Sequence, residues 1–215
     1  MADRTYRCLF LCLALFGLTA DQASKYGVFR WLYNGGVFED KGGIGNSRQV
    51  VPGWFELMAQ FDPATPAPTC DCGFGFLQTA NAPLMPRVNH GALFGLGQGK
   101  KGVANGFFAT VSVIAAIAIV IWAMRRHTAR ERGLMAALGL ILGGTLGNLY
   151  DRLVFGGVRD FLHFYYIEWP VFNVADCCLV VGAALLLIQA VFVAPAPEQP
   201  TDNAEEAAVP EGPKA

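Results

Sequence analysis

The chain has 215 residues, of which 53% are hydrophobic and only 15% charged, and its formal net charge is −1. Soluble domains typically carry about 25% charge, so composition argues against a soluble globular protein, and the missing basic field argues against nucleic-acid binding. Six cysteines in such a length are no dense disulfide framework.

Arg4 and Arg7 precede an apolar run, CLFLCLALFGLTA, which meets Asp21 and Lys25 and continues to about Phe29. A spanning helix needs roughly 20 mostly apolar residues. This run spans a bilayer only with Asp21 and Lys25 near its end, and a first helix is expected over about 8–28. The competing reading is a cleaved signal peptide, with Leu18-Thr19-Ala20 as its small-residue site. Residues 30–102 are rich in Gly, Pro, Asn and aromatics, and predict a small extramembrane domain of short strands and turns. Arg48–Val51 and Gly73–Leu77 read as strand pieces. The piece from Phe61 to Cys72 reads as a loop, because its prolines oppose both helix and central strand.

Val103 to Met124 holds no charge and predicts the second span. Arg125, Arg126, Arg130 and Arg132 follow in a short loop. The third span is expected over about 134–152 and the fourth over about 174–194. The Pro- and Glu-rich tail, 198–215, lacks apolar bulk and predicts disorder. Short arginine-rich loops stay cytoplasmic. Both termini are therefore expected in the cytoplasm, with 30–102 and 153–172 outside. Trp31, Trp54 and Phe55 suit the headgroup layer.

In that topology Asp21 and Lys25, then Asn148, Asp151 and Arg152, then Asn173 and Asp176 share one depth. Membrane-embedded ions are expensive unless paired or wet. Asp21 and Lys25 are four apart and share a helix face, as do Asn148, Asp151 and Arg152, so Asp21, Lys25 and Asp151 read as structural ion pairs. Asp160 and Asp176 have no cation at helical spacing, and Arg159 points elsewhere in an extended segment. Two carboxylates brought together cannot both ionise cheaply; one keeps its proton, and the pair can activate water and protonate a leaving group. The bland alternatives are a helix N-cap for Asp176 and a turn residue for Asp160. The histidines are too dispersed for a zinc protease.

Five segments in order resemble the lipoprotein signal peptidase (signal peptidase II) family: Asp21-Gln22-Ala23-Ser24-Lys25, Asn89-His90-Gly91-Ala92-Leu93-Phe94, Gly143 to Arg152, Gly157-Val158-Arg159-Asp160-Phe161, and Phe172-Asn173-Val174-Ala175-Asp176. The resemblance implies a mainly α membrane protein. Its architecture would be a four-helix transmembrane bundle with a small extracytoplasmic β-rich domain and an insertion over about 34–80 between the first two spans. It implies an aspartic endopeptidase of the bacterial inner membrane that needs no metal or cofactor. Its substrates would be lipid-modified prolipoproteins, cleaved before the diacylglyceryl-modified cysteine, and it would work as a monomer among membrane lipids. Asp160 and Asp176 would be catalytic, Asn89, Asn148, Arg152 and Asn173 would bind substrate, and Asp21, Lys25 and Asp151 would support the structure. Arg159 departs from the family pattern, which has an apolar residue there, and Thr145 stands where Ala is common. Other readings are a channel or carrier using the intramembrane charges, or an envelope assembly factor acting through 34–80.

Overall fold

A computed structural model describes residues 5–40, 43–68, 73–91, 101–167 and 169–192. The tail, Cys70, Cys72 and Ala92-Leu93-Phe94 lie outside the described residues. Among the described residues, four helices are long and apolar enough to cross a membrane: α1 (Arg7–Asn34), α3 (Lys101–Met124), α4 (Arg132–Val154) and α5 (Val174–Phe192). The same residues form a short helix, α2 (Gly75–Asn81), and the strands β1 (Phe38–Asp40), β2 (Gly43–Val51), β3 (Phe55–Pro66), β4 (Leu84–Pro86) and β5 (Leu162–His163).

The most buried of the long helices is α4, which packs against α1, α3 and α5. Its glycines explain why. A Cβ on Gly143 would lie 2.7 Å from the Ala14 carbonyl oxygen of α1, and one on Gly144 would lie 2.4 Å from that of Ala175 on α5. Both neighbours therefore approach at backbone distance, the small-residue packing that helices use in lipid. The outward faces of α3 and α5 stay apolar and exposed, as at Phe107, Ile114, Val180 and Leu187, which suits hydrocarbon rather than water.

The two ends of the bundle differ. At one end the Tyr6 amide donates to the Ala129 carbonyl and an Arg7 Nη2 donates to the Met124 carbonyl, so the start of α1 sits beside the arginine-rich turn. At the other end lies the antiparallel sheet, ordered β1-β2-β3-β4 with β5 also on β3. The end of α1 enters this sheet layer. Phe29 and Leu32 pack with Ala59 and Phe61 of β3 and with Phe161.

Three sequence expectations change here. The first helix does not stop near residue 28; it runs to Asn34, because Phe29 and Leu32 find an apolar partner in the sheet beyond the membrane. At 1.5 Å per residue its 28 residues reach roughly 42 Å, longer than the roughly 30 Å hydrocarbon layer. Phe61–Pro66 is strand rather than loop. The prolines fit because β3 outruns its β2 pairing at Phe61 and meets β4 through an irregular register between Phe61 and Pro66, the places where a strand tolerates Pro. Gly73–Leu77 is a turn leading into α2 rather than a strand: Gly73 takes φ +62°, and Asn81 at the far end of α2 is fully buried. Arg48–Val51 is strand, as read.

Residues 38–66 do not stand apart from the rest. Strand β3 pairs β5 through Glu56–His163 and Leu57–Leu162, and the Met58 amide donates to the Phe161 carbonyl at 2.9 Å. The loop carrying Asp160 thus hangs from the sheet on one side and from the helices on the other.

Candidate active site

Each polar residue singled out above arrives by a different element. Asp21 and Lys25 come from the middle of α1. Asn148, Asp151 and Arg152 come from the last turns of α4, and Asn173 and Asp176 from the start of α5. Asn89 follows β4, and Asp160 precedes β5. Between α4 and β5 the chain turns at Gly156, whose φ of +73° favours glycine. Val158 then bridges Asn89 by amide–carbonyl bonds of 2.7 and 2.9 Å in both directions. That bridge sets Asn89 and Asp160 side by side.

Asn173 joins the two carboxylates of interest. Its carboxamide Nδ2 donates to Asp160 Oδ1 at 2.7 Å and to Asn148 Oδ1 at 3.2 Å. Its Oδ1 accepts from the Asp176 amide at 3.0 Å, while its own amide donates to Asp176 Oδ2 at 3.2 Å. This is a reciprocal capping box with Asn at the cap and Asp three residues on. Asn173, not Asp176, is therefore the N-cap of α5. Asn148 Nδ2 donates to the other oxygen of Asp176 at 2.8 Å, and Asn89 Nδ2 to the other oxygen of Asp160 at 3.1 Å.

Asp160 lies mostly out of water. Burial pushes its carboxyl up to about 6, the neighbouring Asp176 charge adding to the effect and the Asn173 and Asn89 hydrogen bonds opposing it. The Arg152 guanidinium carries its charge near Asp176 and Asp160, donates to the Asn148 carbonyl at 3.3 Å and covers the Phe108 ring at 5.5 Å. A cleft of about 360 Å³ opens over Asp160, walled by Met58, Gln60, Arg87, Val88, Asn89, Val158, Pro170 and Val171. Met58 and Gln60 alternate with buried Ala59 and Phe61, so one face of β3 faces the cleft and the other the core.

Behind the cleft lies a second layer. Lys25 Nζ sits 2.8 Å from Asp21 Oδ2, 3.3 Å from Asp151 Oδ2 and 3.3 Å from Asn148 Oδ1. Asp21 Oδ1 accepts from the Ala175 amide at 2.9 Å, which fixes the start of α5. All three charged side chains are fully buried. Asp151 is held by Lys25 and Arg159, and no hydrogen bond joins it to its sequence neighbour Arg152.

The sequence reading left three members of this layer unassigned. Arg159, fully buried, is bound to Asp151, Asn81 and Gln22. Gln22 also donates to Asp21, to Asp151 and to the Gly147 carbonyl. The one signal available for Arg159 and Gln22 was their place inside two of the quoted segments; Asn81 gave none. Asn148 and Asn173, read as substrate-binding, are buried and bonded to the two carboxylates. Asn89 is exposed and Arg152 is partly so.

The signal peptidase (SPase) II family profile matches residues 74–192, more than half of the chain. The chain belongs to the signal peptidase II family of aspartic peptidases. It is similar to the lipoprotein signal peptidases of Yersinia pestis (strain Pestoides F) and Yersinia pseudotuberculosis serotype O:3 (strain YPIII). Each is 41% identical over 119 residues, or 54% of this chain and 69% of the relative. Two solved structures share the fold. A bacterial membrane enzyme solved by the in meso method at 1.9 Å is 23% identical with a TM-score of 0.62, covering 89% of this chain and 98% of that one. Another, solved at 2.3 Å, gives a TM-score of 0.61, covering 88% and 92%. This signal peptidase II is thus a multi-pass bacterial membrane protein, mainly helical, with a small antiparallel sheet.

Proposed function

We propose that this signal peptidase II removes signal peptides from diacylglyceryl-modified prolipoproteins by hydrolysing the peptide bond before the lipidated cysteine, with Asp160 and Asp176 as the catalytic pair. The observation that carries the reading is the Asn173 carboxamide, which bonds Asp160 and caps the helix at Asp176 in one stroke. Two carboxylates tied to one side chain share a site, and like charges there favour a single shared proton. Burial and the Asp176 charge raise the Asp160 carboxyl to about 6, so this scheme assigns the proton to Asp160.

In this scheme Asp176 takes a proton from water as its oxygen attacks the scissile carbonyl carbon. Asp160 gives its proton to the carbonyl oxygen. Collapse of the gem-diol intermediate breaks the C–N bond: the proton on Asp176 passes to the leaving cysteine nitrogen, and one hydroxyl proton of the diol returns to Asp160 as the new carboxyl group forms. Asn89, which lines the cleft, and Arg152, whose charge acts on both carboxylates, bind the substrate backbone. Asn148 and Asn173 act on the substrate through the carboxylates they orient. Asp21, Lys25 and Asp151 support the site by joining α1, α4 and the start of α5.

The helix end with the arginine-rich turn faces the cytoplasm, by the excess of positive charge, and the sheet lies at the outer face of the inner membrane. Residues 1–197 form the peptidase unit, with 34–80 as an insertion and 198–215 as a cytoplasmic tail. The monomer is taken as the working unit, as the family resemblance implies. The test is a gel-shift assay on a lipidated precursor. Wild type shortens it, whereas Asp160→Asn and Asp176→Asn leave it intact while inserting and folding normally. Full turnover by either variant rejects the pair.

A further inference from the structure

Arg159 adjoins Asp160, yet its side chain turns away from the cleft. It is fully buried, and its amide and each side-chain nitrogen donate a hydrogen bond. Its amide and its Nε donate to Asp151 Oδ2 at 2.8 and 3.1 Å, and Nη2 donates to Asp151 Oδ1 at 2.8 Å. Nη1 donates to Asn81 Oδ1 at 2.7 Å and Nη2 to Gln22 Oε1 at 2.9 Å. The Tyr26 and Phe155 rings also lie against the guanidinium, their centroids 4.4 and 4.0 Å from its Cζ and 6.2 Å from each other. A two-pronged grip on one carboxylate, made while the planar head rests on aromatic rings, is available to arginine and not to lysine. The grip joins α1, α2, α4 and the loop before β5, the four elements that must agree for Asp160 to stand still.

Charge gives a second reason. Asp21 and Asp151 are balanced by Lys25 and Arg159, all four without solvent exposure. Without Arg159 the set carries one uncompensated negative charge, whose field in a poorly screened interior reaches the carboxylates beside it.

We propose that Arg159 is a positioning residue for Asp160: it clamps the loop that carries this carboxyl to Asp151, and it neutralises the buried charge set behind the reacting pair. This rests on Asp160 being one of the two catalytic carboxylates. The groups facing Asp160 are Asp176 on α5, Arg152 on α4, Lys25 on α1 and Arg87 across the cleft, together with neutral Asn89 and Asn173.

The test uses the full chain in nanodiscs with a lipidated precursor peptide, and reads kcat, KM and the pH dependence of kcat/KM. Arg159→Lys keeps the charge and loses the fork. Its kcat falls by about tenfold to a hundredfold, the upper figure being what a misplacement of about 1 Å can cost, with KM and the pH limbs unmoved. Arg159→Met loses both, so its kcat falls further and its limbs move up by about half a pH unit, the direction an added negative charge imposes on a carboxyl. Pairing Arg159→Met with Asp151→Asn restores charge balance and brings the limbs back. A purely structural role moves no limb. Where Arg159→Met fails to fold, Arg159→Lys carries the test through its kcat–KM split. Wild-type kcat in folded Arg159→Lys, or unmoved limbs in folded Arg159→Met, overturns the assignment while wild type cleaves and Asp160→Asn does not. Cleavage by Asp160→Asn overturns the catalytic reading beneath it, and this inference with it.

Discussion

Replacing Asn173 with alanine removes a bond to one carboxylate and the cap of the helix that carries the other. The side chain is fully buried and donates a 2.7 Å bond to Asp160 while accepting the Asp176 amide at the start of α5. Loss of an N-cap costs about 1 kcal/mol, and loss of a hydrogen bond to a charged group about 1.5–3 kcal/mol. One carboxamide serves both roles, so the parts do not simply add, and a total near 3 kcal/mol is expected. The effect on titration has a definite sign. The Asn173 bond favours the ionised form of Asp160, so its removal lifts that carboxyl above about 6. A shift of one unit corresponds to about 1.4 kcal/mol. The assay is the pH profile of kcat/KM on a lipidated precursor, with thermal unfolding in the same detergent. Asn173→Ala is expected to be slower at every pH, to unfold earlier, and to carry its alkaline limb to higher pH. A variant with the wild-type profile and wild-type unfolding temperature refutes the idea that this carboxamide organises the pair.

Further outcomes follow from the layers around it. Lys25→Met leaves Asp21 and Asp151 buried without their shared cation. Breaking a buried pair in this way costs about 3–5 kcal/mol, so the membrane-inserted yield and unfolding temperature drop sharply. Gly144→Leu forces α5 off α4, since even a Cβ there lies 2.4 Å from the Ala175 oxygen. Overpacking costs about 1–3 kcal/mol, and because Asp176 rides on that helix the rate falls more than the stability. Deleting residues 38–66 removes the strand that holds β5 and Phe161, so cleavage is lost even where the four long helices still insert; retained cleavage marks the segment as dispensable.

Much of this site was readable from the chain. The i, i+4 spacing of Asp21 and Lys25 and the spacing of Asn148 and Asp151 encode helix faces, and the faces are what the fold joins. The quoted segments also marked the two aspartates. What spacing cannot encode is which buried ion answers which. Asp151 is followed at once by Arg152, yet its arginine partner is Arg159, reached only because the chain reverses at Gly156. Asn81 meets Arg159 from 78 positions away, through a short helix in a stretch whose alternation suggested a strand. The far end of α1 was misplaced for a related reason. Phe29 and Leu32 are spaced for one helix face, but the sheet they cover is assembled from residues well downstream.

The most direct test of the shared-proton claim is the titration of Asp160 itself, followed through its labelled carboxyl carbon by NMR in wild type and in Asp176→Asn. A shared proton requires a wild-type midpoint near 6 and a lower one in Asp176→Asn, where the like charge is gone. An ordinary carboxylate midpoint that is the same in both proteins contradicts it.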